Sequence, residues 1–323
     1  MPILMEGRSN YEAIMNVVIV GYDKMLAALI SGAKFKGHNI VGVFRIDRVR
    51  YSKPALFFKD IFNPSNDLSF IKSHKLYDIK ADSVKSKAFL DEIKRLNPDI
   101  ILVGSWSEKF PLDVINFPKY GVVNCHPSLL PKHRGANPYF WAIYSGDEKT
   151  GVTFHLMDGN FDTGKILMQA AFKIDESITG GELRNKAAKI AELMTGELLD
   201  DIKNNKIIPV IQDEDEATYD KYPYPDIDVV DFLESAKKVY DKVRALKPWG
   251  YCSCVLNGRV YRIESARILV YDDNPSFCGS ALQDMPKVAD YHSYKPGDVI
   301  EFYSDKKMAV VKCVAGVVEI KVL

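Results

Sequence analysis

The chain has 323 residues, 47% of them hydrophobic and 27% charged, with Lys plus Arg equal to Asp plus Glu at 43 each. That length implies two domains, and the neutral balance gives no support for a bulk electrostatic grip on nucleic acid, although a local basic patch remains open. No apolar run is long enough to cross a bilayer, the N-terminal sixteen residues lack the charged and apolar regions of a signal peptide, and five cysteines suit a reducing cytoplasm better than a disulfide framework.

Asn16–Gly21 (NVVIVG) and Asn39–Phe44 (NIVGVF) read as buried strands on either side of a helix over Met25–Phe35, whose Leu26, Leu29, Ile30 and Ala33 share a face. This is a βαβ unit. Its first turn, Gly21-Tyr22-Asp23-Lys24-Met25, lacks G-x-G-x-x-G, so a nicotinamide or flavin dinucleotide is not supported. Arg45 to Asn66 reads as irregular, with prolines at 54 and 64. Its Arg45, Arg48, Arg50 and Lys53 form either a solvated loop, the usual meaning of a charge run, or a surface for an anionic acceptor. A helix over Val84–Leu96 ends at Asn97-Pro98, a strand follows over Asp99–Gly104, and Pro111–Ile115 is a helical turn.

The next strand, Gly121–His126, carries Asn124 and His126 on one face at its end, because side chains alternate along a strand. Pro127 stops the ladder, so both polar groups emerge where open α/β sheets place their sites. Cys125 between them points the other way, into the sheet core. A helix over Asn137–Ser145 carries Tyr139, Phe140, Trp141 and Tyr144, an aromatic stripe of the kind that fills cores. Strands over Val152–Met157 and Lys165–Ile174 flank a glycine-rich loop containing Asp162, and a helix over Thr179–Asn204 opens with a Thr179/Glu182 capping box. Pro209–Pro225 is acidic, then rich in tyrosine and proline, and reads as a linker. Beyond it lie an amphipathic helix over Asp228–Leu246 and short strands over Gly250–Leu256, Arg259–Leu269, Asp298–Tyr303, Met308–Cys313 and Val317–Val322. With the Asn257-Gly258 hairpin signal, they suggest a small barrel or sandwich.

Taken one at a time, an Asn-x-His at a strand end or an Asp before Thr-Gly is more often structural than catalytic. A metal site is not supported: His126 and His133 sit on a proline-broken loop, and Cys252 and Cys254 share a strand face with no second pair at zinc-site spacing, so buried thiols are expected.

Taken together, Asn124-Cys125-His126-Pro127-Ser128-Leu129-Leu130-Pro131, then Arg134-Gly135, Thr150-Gly151-Val152-Thr153 and Asp162-Thr163-Gly164, resemble the signature of the 10-formyltetrahydrofolate-dependent formyltransferases. The likeness extends more faintly from Asn16 to the C-terminus, and Lys247-Pro248-Trp249-Gly250 resembles the start of that family's C-terminal barrel. The resemblance implies an α/β catalytic domain over 15–209 with a Rossmann-like, mostly parallel sheet, a linker over 210–225 and an OB-like β-barrel over 226–323. It implies a cytoplasmic, metal-free enzyme that moves a formyl group from 10-formyltetrahydrofolate to an amine. Asn124 would hold the developing oxyanion, His126 would donate a hydrogen bond or proton, and Asp162 would favour the imidazolium or draw a proton through water. Trp106, Ser128, Leu129, Leu130 and Pro131 would border the folate, while Arg134 would fix its loop or contact an anion. The implied acceptor is methionyl-tRNA. The alternative is a nucleotide-linked amino sugar, favoured by the lack of a recognisable glycine- and lysine-rich insertion after Phe44 and by the Tyr222–Asp226 linker sequence. A formyltetrahydrofolate hydrolase and a non-catalytic folate-binding module are the readings from other classes.

Overall fold

The computed structural model describes residues 14–223, 229–270 and 291–323. The first residues of the N-terminal extension, most of the Tyr222–Asp226 segment, the expected helix start at Asp228, and Cys278 lie outside these.

The chain begins with β1 (Asn16–Gly21), α1 (Asp23–Phe35) and β2 (Asn39–Arg45). Two helices, α2 (Asp47–Arg50) and α3 (Lys53–Phe62), stand where Arg45 to Asn66 was expected to be irregular, and α4 (Asn66–Ser73) follows them. The prolines that suggested a break do not interrupt them. Pro54 lies in the first turn of α3, where its missing N–H leaves no bond unmade, and Pro64 precedes Ser65, whose hydroxyl caps α4 by accepting from Leu68 N. Arg45 is not solvated either. It is fully buried and binds Asp47 (3.0 Å), Asp60 and Asp78 (3.3 Å).

After α5 (Lys87–Leu96), β3 (Ile100–Gly104), α6 (Leu112–Ile115) and β4 (Val122–His126) come β5 (Arg134–Gly135), α7 (Pro138–Ser145), β6 (Lys149–Leu156), β7 (Ile166–Lys173) and the capping-box helix α8 (Gly180–Lys203). The main sheet has six strands in the order β2-β1-β3-β4-β6-β7. The first four are mutually parallel, and β6 runs antiparallel to both β4 and β7. Its strands are apolar on both faces. Val17, Ile19, Leu102, Val123 and Cys125 pack towards α1 and α8, while Val18, Val20, Ile101, Val103 and Val122 join Phe44 and Phe89 on the other side. Burial on both faces is what the continuous Val/Ile runs encode. The strand order reverses between β1 and β3, and because these strands are parallel the carboxyl ends of β1, β3 and β4 open onto one edge.

Part of the stretch read as a linker packs against this domain. Ile166 and Val210 exchange two backbone hydrogen bonds of 2.8 Å, and β8 (Tyr219–Asp220) pairs with β5. Trp141 Nε1 donates to the Lys221 carbonyl at 2.8 Å.

Helix α9 (Ala236–Leu246) starts later than its amphipathic pattern suggested. A turn closed by Glu234 N to Asp231 O precedes it, and Ser235 caps it. The remaining strands, β9 (Cys252–Leu256), β10 (Arg259–Val270), β11 (Val299–Tyr303), β12 (Met308–Lys312) and β13 (Val317–Val322), form an antiparallel sheet in the order β11-β12-β13-β10-β9. Two register shifts let β10 turn from its β9 partner to β13. Cys125, Cys252, Cys254 and Cys313 are buried and form no disulfide among the described residues. The two parts meet where Trp249 stacks on Tyr139, centroids 6.1 Å apart, and Gly181 N donates to Lys247 O.

Replacing Arg45 with Met removes the buried cation shared by Asp47, Asp60 and Asp78, leaving, among the described residues, Asp47 only Lys59 and Asp78 only Arg48, and breaking a buried pair in this way typically costs about 3–5 kcal/mol. The urea midpoint of Arg45→Met should fall sharply; an unchanged midpoint would show that the network contributes nothing to stability.

Candidate active site

Strand β4 delivers Asn124 and His126 to the open edge on the same face, as their spacing requires. Asp162 arrives from the loop between β6 and β7 in a left-handed conformation (φ 58°). Two glycines allow this approach. A Cβ on Gly164 would lie 1.7 Å from the Leu156 carbonyl oxygen, and one on Gly135 (φ 100°) would lie 2.4 Å from the Asp220 carbonyl oxygen. The conformations that place Asp162 are therefore closed to larger residues at both positions.

The structure brings the three residues together. Asn124 Nδ2 donates to Asp162 Oδ1 at 3.1 Å, and His126 Nδ1 lies 3.4 Å from the same oxygen. Gly135 N donates to Asp162 Oδ2 at 2.9 Å. A fourth group joins them. His155 stands directly across from Asn124 in the β4–β6 register, and its Nε2 lies 3.1 Å from Asn124 Nδ2 and 3.4 Å from Asp162 Oδ1. His155 Nδ1 is 2.9 Å from the Leu156 carbonyl, to which it donates, leaving Nε2 to accept. Sequence reasoning missed His155, although the alternation of Thr153 and His155 with Val152 and Phe154 places it on the polar face of β6.

His126 Nε2 donates to the His133 carbonyl at 2.7 Å, so a neutral ring carries its proton there and presents the Nδ1 lone pair to Asp162. Burial pushes the His126 pKa below the usual imidazole value, against the pull of Asp162. For Asp162, burial acts to raise the pKa, but the His126 and His155 rings and the Gly135 N–H outweigh it and hold the carboxyl well below the usual range. The carboxylate is therefore ionised, and whenever the His126 ring is neutral its Nδ1 is placed to take a proton where a negative charge meets it.

Arg134 resolves in favour of fixing its loop. Its guanidinium is fully buried, and all five N–H groups are engaged: Nε and Nη2 reach Gln212, both Nη atoms reach Glu214, and Nη1 also reaches Tyr219. No donor remains for an external anion. Gln212 in turn donates to the carbonyls of Asp162 (2.8 Å) and Gly164 (2.7 Å). A residue of the expected linker thus holds the backbone of the candidate catalytic carboxylate.

The other expected site residues lie beside this cluster. Ser128 and Leu130 are turned inward. Ser128 Oγ donates to Lys132 O, Thr153 Oγ1 donates to Ser128 O and receives Leu130 N, and Gln169 Nε2 donates to Leu130 O. Leu129 packs over Gly151, and Leu129 and Pro131 are half-buried. Trp106 extends past the end of β3 and packs on Phe44 at 5.4 Å; its Nε1 is buried without a hydrogen-bond partner among the described residues. Beyond β2, Arg48 and Arg50 of α2, Lys53 of α3 and Lys80 help line a cavity of about 530 Å³. Among the described residues no group of His, Cys, Asp and Glu is arranged to hold a metal ion.

Comparison with known proteins decides the family. Residues 15–195 match the formyl transferase family, and residues 225–323 match the formyl transferase C-terminal domain. The chain belongs to the formyl transferase family. Among curated relatives, it is 38% identical to the methionyl-tRNA formyltransferase of Ehrlichia canis over 305 residues, covering 94% of this chain and 90% of that one. It is 35% identical to the methionyl-tRNA formyltransferase of Caldanaerobacter subterraneus over 262 residues, covering 80% and 83%. Solved structures share the fold. WlaRD, a sugar 3N-formyl transferase, superposes with a TM-score of 0.65 at 17% identity over 96% of this formyltransferase and 98% of that chain. HypX from Aquifex aeolicus gives 0.61 at 17% identity; there the match covers 95% of this formyltransferase but 44% of the longer protein.

One further group carries a testable charge. His133 Nδ1 donates to Asp220 Oδ2 (2.6 Å) and Nε2 to Asp147 Oδ2 (2.9 Å). Burial lowers its pKa, but the two carboxylates outweigh burial and push it up to about 9. A raised folded-state pKa gives stability that is complete below the unfolded value of ~6.5 and lost as pH rises through the folded one. The stability advantage of the wild type over His133→Gln should therefore shrink as pH rises from about 6.5 through about 9. A constant advantage in urea melts across that range would contradict the ion-pair assignment.

Proposed function

We propose that this formyltransferase moves the formyl group of 10-formyltetrahydrofolate to the amino group of methionyl-tRNA. The observation that carries the chemistry is the shared Asp162 oxygen, which Asn124 and His126 both meet. The free amine attacks the formyl carbon, and the carbonyl oxygen becomes an oxyanion. Asn124 offers it an N–H, exchanging its contact with His155 for a charge-assisted bond to the oxyanion. The proton lost by the amine goes to His126 Nδ1, where Asp162 stabilises the new imidazolium. The C–N bond to the folate nitrogen then breaks, and His126 returns the proton to that nitrogen, giving tetrahydrofolate and the N-formyl product. The depressed pKa of Asp162 makes it the charge partner and not the base. Trp106 and the Ser128–Pro131 loop border the donor, Ser128 and Leu130 by fixing the loop and Trp106 by its unpartnered indole.

The donor reading is supported by solved relatives described with 5-N-formyl-THF, folinic acid and tetrahydrofolic acid. The acceptor reading is supported by curated relatives named methionyl-tRNA formyltransferase and by the basic cavity at Arg48 and Lys53. A nucleotide-linked amino sugar is the second reading, favoured by the near-complete structural match to the Helicobacter canadensis N-formyltransferase described with dTDP-3-aminofucose (TM-score 0.65, 96% of this chain and 100% of that one). A methionyl-tRNA acceptor places the enzyme in the cytoplasm. No described helix is long and apolar enough to cross a membrane.

Tetrahydrofolate release should require charged methionyl-tRNA and stay at background with nucleotide amino sugars. The opposite pattern would select the sugar, and release without any acceptor would select hydrolysis. With the productive acceptor, kcat should fall on acidification as His126 becomes protonated, with a midpoint below ~6.5, the ordinary imidazole value. A midpoint at or above that value would contradict His126 as the buried base.

A further inference from the structure

The mechanism above uses one proton position on His126, and a neighbouring residue sets it. His126 can receive a proton at Nδ1, facing Asp162, only if its neutral ring already holds one at Nε2. The acceptor that keeps the proton at Nε2 is a main-chain oxygen, the carbonyl of His133, at 2.7 Å. Main-chain position is therefore what fixes the tautomer, and His133 is tied down on every side. It is buried and left-handed (φ 59°). Its own N–H donates to Thr218 Oγ1 at 2.7 Å. Its ring lies between Asp147, in the turn after α7, and Asp220, in β8. Both partners are carboxylates and both ring nitrogens face them, so both must carry hydrogen and the ring is an imidazolium. The titratable side chains that face His126 are Asp162 from the β6–β7 loop, His155 from β6 and His133 itself.

We propose that His133 is a positioning residue for formyl transfer: clamped between Asp147 and Asp220, it holds the carbonyl that selects the Nε2–H tautomer of His126. Two of its anchors, Thr218 and Asp220, belong to the segment between the two domains, so docking of that segment prepares His126 for catalysis. Without the clamp the carbonyl shifts, the Nδ1–H tautomer becomes populated, and that fraction of enzyme cannot accept the amine proton at Nδ1.

This inference rests on His126 as the proton carrier, and the test separates the two claims. His133→Gln and Asp220→Asn are compared with wild type and His126→Ala. Two quantities are measured: the kcat and donor KM of formyl transfer, and the ring 15N shifts of His126 in histidine-labelled protein. His126→Ala identifies its signals. Both clamp variants should keep the donor KM, lose on the order of 10- to 100-fold in kcat, as small misplacements of a reacting group do, and show Nδ1–H character at His126. If His126→Ala retains activity, the proton-carrier reading itself fails. If His126→Ala is inactive while both clamp variants keep wild-type kcat and the Nε2–H tautomer, the clamp is refuted. A lower kcat with an unchanged tautomer would also refute it, because His133 would then support only the fold. Asp220→Asn keeps the side-chain size and removes only the charge of one arm of the clamp, so it decides the matter even if His133→Gln folds poorly.

Discussion

An ionised carboxylate held out of water is the constraint around which the site is built. Asp162 is nearly buried, and an unpaired charge there would cost several kcal/mol. Its oxygens instead accept from the Asn124 amide and the Gly135 N–H, with the His126 and His155 rings placed beside them. The glycines at 135 and 164 exist to let backbone approach it, and Gln212 holds its carbonyl. Fixing that one charge therefore fixes the end of β4, the loop after β6 and the segment that leaves the catalytic domain.

The inter-domain segment gains a purpose from the same charge. Gln212, Glu214 and Tyr219 take every donor of buried Arg134, while Thr218 and Asp220 hold His133. Acidic residues that look solvated in isolation are the counter-charges of cations on the signature loop. Burial of those cations is tolerable only when the segment is in place, which couples the region around β8 to the geometry of His126.

The main-sheet strands and the placement of Asn124 and His126 were legible because short, local patterns encode them. Continuous Val/Ile runs give buried strands, and a two-residue spacing gives a shared face. Asp162 became legible through the ordered signature, not through spacing. What stayed hidden depends on pairs distant in the chain. Arg134 and Gln212 are separated by 78 positions, and composition gave no hint that one completes the other. His155 was readable in principle from the alternation of β6, but its meaning depends on lying opposite Asn124. Arg45 looked like part of a solvated charge run because its three carboxylate partners come from Asp47, Asp60 and Asp78, only one of them nearby in sequence.

The most direct test of a shared proton path is a double-mutant cycle on formyl transfer with His126→Ala, Asp162→Ala and the combined variant, all confirmed as folded. Residues that act as one unit are strongly non-additive. A carboxylate whose role is to stabilise the His126 imidazolium has nothing to act on once the imidazole is gone, so the combined variant should be no slower than the slower single variant. A combined loss equal to the product of the two single losses would show that the groups act independently, and would contradict the arrangement proposed for this site.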